Sequence, residues 1–301
     1  PRTRWLPATR VTDGATIWLP REIALRGPAS RRAFAPPWPL SIGCAAGRTP
    51  ADAALHGLLE LIERDAVALW WRGGRRARAL ALEDPATVRA AALLARLRHG
   101  SAGRRRSWLL DITTEFGVPV VAALSFGPEG RGFCCGFAAR AGGLAAAAEA
   151  AILEMVQMEL AQALVEAKAR TLGEAALNPR DGAHRRRYHG IDAATCVAVH
   201  PALPPAPPAH ADAGPSLPPE GALADTALAA VLQRLAAHGL APLRLDLAGP
   251  GEARTGVEVP VLRMLCPGLE TETAHSPGPR LRAALAETGG GDGYAMGIPL
   301  T

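Results

Sequence analysis

Apolar residues recur along the first third of the chain at intervals of three and four: Leu55, Leu58, Leu59, Ile62, Ala66, Leu69 and Trp70. That interval is the repeat of one helix face, and it predicts an amphipathic helix. Thr49 followed by Pro50 supplies its start, a side-chain cap and then a residue whose fixed φ suits the first turn. A second long helix is predicted from Leu144 to Arg170, where the sequence is Ala-rich and free of Gly and Pro until Gly173. Between the two helices the pattern changes to short β-branched and aromatic runs. Ser107–Thr113 and Val118–Phe126 read as strands turning at Gly117, with Gly132–Ala139 as a third. Gly14–Pro20 reads as a short strand, and 41–47 as a loop. Near the C-terminus a helix over Ala222–His238 precedes strands at Pro242–Leu247 and Val259–Cys266. Strands adjacent in sequence look antiparallel, and no βαβ series emerges, so the expected class is α+β: one domain over 1–301, of mixed sheets packed with helices.

Eight prolines fall between Pro201 and Pro219. Such a stretch buries too little surface to fold and is expected to be a mobile surface loop. The rest, 49% apolar and 20% charged, is ordinary globular composition. The net charge of +5 raises the question of a polyanion partner, but the basic residues are scattered and Lys168 is the only lysine. With aromatics at 4%, no stacking platform is expected; no nucleic-acid partner is expected either. Trp70 and Trp71 read as core, and the triplets 104–106 and 185–187 as solvated loop charge. Cys44, Cys134, Cys135, Cys196 and Cys266 contain no C-x-x-C pair, so reduced thiols are expected rather than a disulfide framework or a zinc site. No apolar run spans a bilayer and no signal peptide opens the chain, which predicts a cytoplasmic protein without membrane contact. The chain opens on Pro1, leaving room for a leading segment that carries a partner-binding module.

On the first helix, a turn of about 100° per residue places Gly57, Glu60 and Arg64 opposite the Leu stripe, with Glu63 at the flank. A Glu and an Arg four apart are equally what a solvated helix face carries, and spacing alone favours that reading. Gly57 argues the other way, since a mid-helix glycine costs about 1 kcal/mol unless something packs closely there. The second helix presents Glu154 and Gln157 on one face. Two such helices could meet around a hard cation that takes carboxylates together with phosphates. No G-x-x-x-x-G-K-[ST] occurs, so a nucleotide would have to be held by carboxylate-bound Mg²⁺ and Arg guanidinium groups. G-x-S-x-G, H-E-x-x-H and a G-x-G-x-x-G leading into a helix are absent, and His56, His184, His189 and His200 lack metal-ligand spacing.

The string SIGCAAGRTPADAALHGLLELIERDAVALWW (Ser41–Trp71) closely resembles the YcaO family, in its azoline-forming branch. The family's S/N-G-x-A-A-G loop and S-x-x-E-x-x-E-R helix match Gly43–Gly47 and Gly57-x-x-Glu60-x-x-Glu63-Arg64. LLDITTEFGVPVVAALS (Leu109–Ser125), AAEAAILEMVQ (Ala147–Gln157) and VLRMLCPGLE (Val261–Glu270) are similar to three further family segments. The resemblance implies a YcaO-like α+β domain with a non-Walker ATP site between helices. It implies Mg²⁺ near Glu60, Glu63, Glu154 and Gln157, and ATP near Ser41, Arg64 and Arg280 or Arg282. The implied reaction is ATP-dependent cyclodehydration: a Cys, Ser or Thr of a ribosomally made precursor peptide attacks the preceding carbonyl, whose oxygen leaves as phosphate, giving thiazoline or oxazoline. Nothing here resembles the E1-like or leader-binding module of such systems, so a separate partner protein is expected; a homodimer is compatible. Gly57 replaces the family's Ser, Ile42 stands where Asn is usual, and the chain ends Gly-Ile-Pro-Leu-Thr without a proline-rich tail. These departures leave two alternatives open, a catalytically degenerate scaffold that binds peptide or partner, and a thioamide-forming relative.

Overall fold

A computed structural model describes residues 3–25, 33–35, 41–81, 83–99, 105–130, 132–182, 185, 217–218, 222–247, 259–271 and 277–290. The proline-rich stretch, apart from Leu217 and Pro218, lies outside them, as do Cys196, His184, His189 and His200.

Two antiparallel sheets form the frame. The first contains β1 (Trp5–Arg10), β2 (Thr16–Pro20), β3 (Cys44–Ala46), β8 (Leu243–Asp246) and β9 (Val261–Leu265), in the order β2-β1-β8-β9-β3. The second contains β4 (Arg78–Leu80), β5 (Arg106–Asp111), β6 (Val120–Phe126) and β7 (Cys134–Ala139), in that order. Packed on them are α1 (Arg21–Ala24), α2 (Pro50–Val67), α3 (Val88–Arg98), α4 (Leu144–Leu172), α5 (Ala224–Ala237) and α6 (Pro279–Thr288). The α+β expectation holds. β6 and β7 are buried along their whole length, so side chains on both faces are apolar or small. One face carries the main core with α2 and the other meets α4.

α2 begins where the sequence places it: the Thr49 hydroxyl accepts the Asp52 N–H at 3.1 Å. It then departs from a simple amphipathic helix. Eleven of its 18 residues are buried, because β9, β7 and α5 surround it, and the Gly57 face lies against the 41–47 segment rather than water. A Cβ on Gly57 would meet the Gly43 carbonyl oxygen at 2.7 Å and Met264 Cγ at 2.9 Å. The glycine is a packing residue, and part of 41–47, read as loop, is a strand (β3) paired with β9 in the register Cys44↔Arg263. Gly57→Ala thus gains about 1 kcal/mol of helix propensity but forces the backbone at Gly43 to move, an overpacking cost of roughly 1–3 kcal/mol. The expected outcome in urea melts is net destabilisation; a net gain would mean that the 41–47 segment yields freely.

Past Val67 the helix widens into a π turn, Ala68–Arg72, and Trp70 and Trp71 are core residues as expected. α6 packs Leu281 and Ala284 on Leu69 of this turn, and the Thr288 hydroxyl donates to the Gly73 carbonyl at 2.6 Å. Within the arginine triplets, Arg105 and Arg185 are not simple solvated charge. Arg105 bonds the Ser125 hydroxyl and the Gly132 carbonyl and pairs with Glu159 at 3.3 Å, and Arg185 pairs with Glu166 at 2.9 Å. Lys168 pairs with Asp181. Cys44, Cys134, Cys135 and Cys266 form no disulfide among the described residues. Among the described residues no helix is long and apolar enough to cross a membrane.

Candidate functional site

β7 hydrogen-bonds to β6 along one edge only, leaving the opposite N–H groups open. Two of these, at alternate residues, are taken by carboxylates from different helices. Phe137 N–H donates to Glu154 Oε2 of α4 at 2.8 Å, and Ala139 N–H to Glu63 Oε2 of α2 at 3.4 Å. The close seating of α4 depends on Gly136, just before Phe137: a Cβ there would sit 2.3 Å from both the Ala151 carbonyl oxygen and the Met155 nitrogen. One turn before Glu63, Glu60 accepts the Gly43 N–H at 3.0 Å, so the glycine loop and the helix are tied at the site. Arg64 lies between the carboxylates at ion-pair distance, 3.6 Å from Glu60 and 3.9 Å from Glu63, and its buried Nε has no hydrogen-bond partner among the described residues.

The electrostatics are those of a site short of positive charge. Burial pushes the Glu63 carboxyl up to about 8, with the Glu154 and Glu60 charges adding to the rise; Arg64 and the Ala139 N–H oppose it. Burial also raises Glu154, against the Phe137 N–H, Arg64 and Arg140. Arg140 holds its place by donating to the Ala139 carbonyl at 2.8 Å. Among the described residues no three His, Cys, Asp or Glu side chains stand close enough to hold a metal ion by themselves, whereas Mg²⁺ binds through one or two carboxylates and completes its shell with water and phosphate. The donor set therefore fits Mg²⁺: oxygen ligands, excess negative charge and a guanidinium with an unused donor beside them. A cavity of about 360 Å³ opens one helical turn away, bordered by His56, Leu59, Arg140, Glu149 and Leu153.

The structure thus brings Glu60, Glu63, Arg64 and Glu154 together. Gln157 is exposed one turn further along α4, and Ser41 is exposed two residues before Gly43. Arg280 and Arg282 lie on α6. Arg280 bonds both Asp65 oxygens at 2.8 Å, bonds Glu115 and sits 4.5 Å over the Phe116 ring; Arg282 is exposed and donates to the Pro277 carbonyl at 2.6 Å. Sequence reasoning missed the β7 edge amides, which no side-chain motif encodes, and Arg140. It also missed Asp65, whose signal was a carboxylate on the apolar side of α2, where a charge needs a buried partner.

Residues 1–270 match the family model described as "YcaO cyclodehydratase, ATP- and Mg²⁺-binding". A curated relative from Rhizobium leguminosarum bv. trifolii, an uncharacterized protein in the tfuA 3' region, is 37% identical over 84 residues, 28% of this chain and 20% of the relative. Among solved structures, the heterocyclase TruD superposes with a TM-score of 0.67 at 22% identity, over 95% of this chain and 37% of TruD. A chain of the E. coli microcin synthetase McbBCD complex gives 0.68 at 15% identity, over 99% of this chain and 73% of that one. The chain therefore spans about a fifth of the curated relative and little more than a third of TruD.

Proposed function

The chain belongs to the YcaO family, and from that premise we propose that it is an ATP- and Mg²⁺-dependent cyclodehydratase forming azoline rings in a ribosomally made peptide. The observation that carries this reading is the convergence of Glu60, Glu63, Glu154 and Arg64, from two helices, at the open edge of β7. Bound Mg²⁺-ATP would supply the phosphoryl group that turns an amide oxygen into a leaving group. The chain's part is positioning and charge. Glu60, Glu63 and Glu154, with Gln157 at the outer end, would hold the metal; Arg64, hydrogen-bonded to neither glutamate, would supply its guanidinium to the phosphates, with Ser41 at the loop entrance. In the peptide, addition of the Cys, Ser or Thr side chain to the preceding carbonyl would close the ring, the carbonyl oxygen would take the γ-phosphoryl group with ADP as co-product, and loss of phosphate together with the amide N–H proton would leave the C=N bond of the azoline.

Gly57, which departs from the family's Ser, accords with the close approach of Gly43 and Met264. The reading includes a cytoplasmic setting. The reading includes an E1-like or leader-binding partner that delivers the precursor peptide; its support is the fold shared with a chain of the E. coli microcin synthetase McbBCD complex, which is also known with pro-MccB17 bound.

The test is calorimetry of ATP binding with and without Mg²⁺. Wild-type protein is expected to bind only with the metal, and Arg64→Ala to weaken binding at least tenfold, about 1.4 kcal/mol, with little change in melting temperature. Absence of Mg²⁺-dependent binding to the wild type overturns the reading.

A further inference from the structure

β2 is the edge of the five-stranded sheet, with β1 on one side and no strand on the other among the described residues. Its pairing with β1 fixes which backbone groups that edge offers. Arg10 N–H donates to the Ala15 carbonyl at 2.8 Å, and Arg21 N–H to the Arg4 carbonyl at 2.7 Å. Bonded and non-bonded pairs alternate along an antiparallel ladder, so in the register Ala8↔Ile17 and Pro7↔Trp18 Ile17 and Leu19 turn their amides towards β1. Thr16 and Trp18 turn theirs outward, and Pro20 presents a carbonyl there with no N–H to offer. Trp5 and Trp18 share the face of the sheet that α2 covers over β9. Over β1 and β2 that face is bare: the two tryptophans are 57% and 59% exposed, although Trp70 and Trp71 are core. Each stands opposite a proline, Trp5↔Pro20 and Pro7↔Trp18. The strand itself, Thr-Ile-Trp-Leu-Pro, carries no charge, whereas an edge that is kept free usually carries Lys or a bulge.

We propose that β2 is a self-association edge: two copies of this chain pair their β2 strands antiparallel about a two-fold axis at Trp18, which joins their two sheets into one. The register that overlaps the whole strand sets Trp18 against Trp18 of the partner copy and Thr16 against Pro20 of the partner copy. In that register the Trp18 N–H of each copy meets the Trp18 carbonyl of the other, and each Thr16 N–H meets a Pro20 carbonyl. Both outward donors are satisfied, and the residue that lacks a donor is used for its carbonyl alone. On the bare face the side chains then run Pro7, Trp18, Trp18, Pro7 across the seam, so the strand is complementary to itself in backbone and side chains alike. An interface of one strand and two tryptophans per copy is small, which makes the dimer weak, with a Kd on the order of tens of micromolar. The edge shares no residue with the carboxylate cluster and does not depend on the activity proposed there.

The experiment is sedimentation equilibrium of the full chain over about 1–200 µM, a range that brackets such a Kd. The wild type is expected to pass from monomer to dimer and to stop there, since a two-fold pairing of edges closes on itself. Trp18→Lys sets two charges face to face across the axis, and Thr16→Pro removes an outward donor while leaving both tryptophans; each is expected to weaken association at least tenfold. Both positions are exposed, so the melting temperature and the Mg²⁺-ATP binding of Trp18→Lys are expected to match the wild type, which separates failure here from failure of the proposed activity. Cysteine variants read the register. With an added oxidant, Trp18→Cys is expected to give a covalent dimer linked through position 18, because a bonded pair brings its Cα atoms to about 5.5 Å, within disulfide reach. Thr16→Cys, which lies away from its own copy across the axis, is expected to add nothing to the wild-type background. A wild type that stays monomeric throughout leaves the edge to a strand of another protein and overturns the proposal. So does a dimer that Trp18→Lys and Thr16→Pro leave intact, or one in which Thr16→Cys links and Trp18→Cys does not.

Discussion

Glu63→Gln is expected to stabilise the metal-free protein near pH 8 while abolishing its Mg²⁺-dependent ATP binding. Burial and the neighbouring Glu154 and Glu60 hold the Glu63 carboxyl at about 8, against 4.5 for the free group. With the folded-state pKa above the unfolded one, the stabilising contribution is complete below pH 4.5. It is lost as pH rises towards 8, because over that interval the unfolded chain sheds a proton that the folded one keeps. At about 1.4 kcal/mol per unit, the loss is on the order of several kcal/mol. Glutamine keeps the acceptor for the Ala139 N–H without the charge. Thermal melts in chelator should therefore show a wild-type melting temperature that falls from pH 5 to pH 8 and a variant whose fall is much shallower. Glu154 and Asp65 are raised as well and leave some slope in both proteins; Glu115 is held down at about 2 and loses its contribution only in acid. In the wild type, Mg²⁺ with ATP should recover the stability lost at pH 8, since a cation favours the charged carboxylate. A variant that melts below the wild type across the whole range with an unchanged slope would show that Glu63 is not a strained carboxylate.

That carboxylate cluster was partly legible before any coordinates. Gly57, Glu60, Glu63 and Arg64 sit at fixed helical offsets, and Glu154 lies on a helix without Gly or Pro, so local rules were enough to put acidic oxygens on two helices. What brings them to one place is tertiary: the open amides of Phe137 and Ala139 belong to a strand edge, and an edge is a property of the whole sheet. The same reason hid α6. Its start is capped not by a neighbour in sequence but by Glu270, which accepts the N–H groups of Gly278 and Leu281 at 3.0 Å. α3 also escaped, although Arg98 at its end forms the pair with Glu159. Its eleven residues are largely Ala, Leu and Arg and bury only Ala90, Leu94 and Arg98, too few apolar positions to stand out as a stripe. Arg105 looked solvated because the Ser125 and Glu159 that hold it come from β6 and α4, far along the chain.

Arg280→Ala is expected to cost far more in stability than in nucleotide affinity. The side chain of Asp65 is fully inaccessible, and its oxygens are met by two Arg280 donors and the Glu270 N–H at 2.8–2.9 Å. Arg280 in turn holds Glu115, which also takes Arg75 at 3.0 Å. Burial already raises Asp65 to about 6 with Arg280 pulling the other way. Removing the guanidinium leaves a buried carboxylate that must either stay charged without a partner or take up a proton, and breaking such a pair from one side costs about 3–5 kcal/mol. α6 would be the first element to loosen, because Arg280 and Glu270 tie it to α2. Urea melts at pH 7.5 should show this loss. Asp65→Asn combined with Arg280→Met should be less harmful than the sum of the single changes, because the double variant leaves neither charge stranded. Arg64→Ala is expected to behave in the opposite way, losing nucleotide and keeping stability, since Arg64 touches its carboxylates only at 3.6–3.9 Å. If Arg280→Ala instead melts like the wild type and loses ATP, its guanidinium leaves Asp65 for the phosphates when nucleotide binds, and α6 becomes part of the nucleotide site rather than its support.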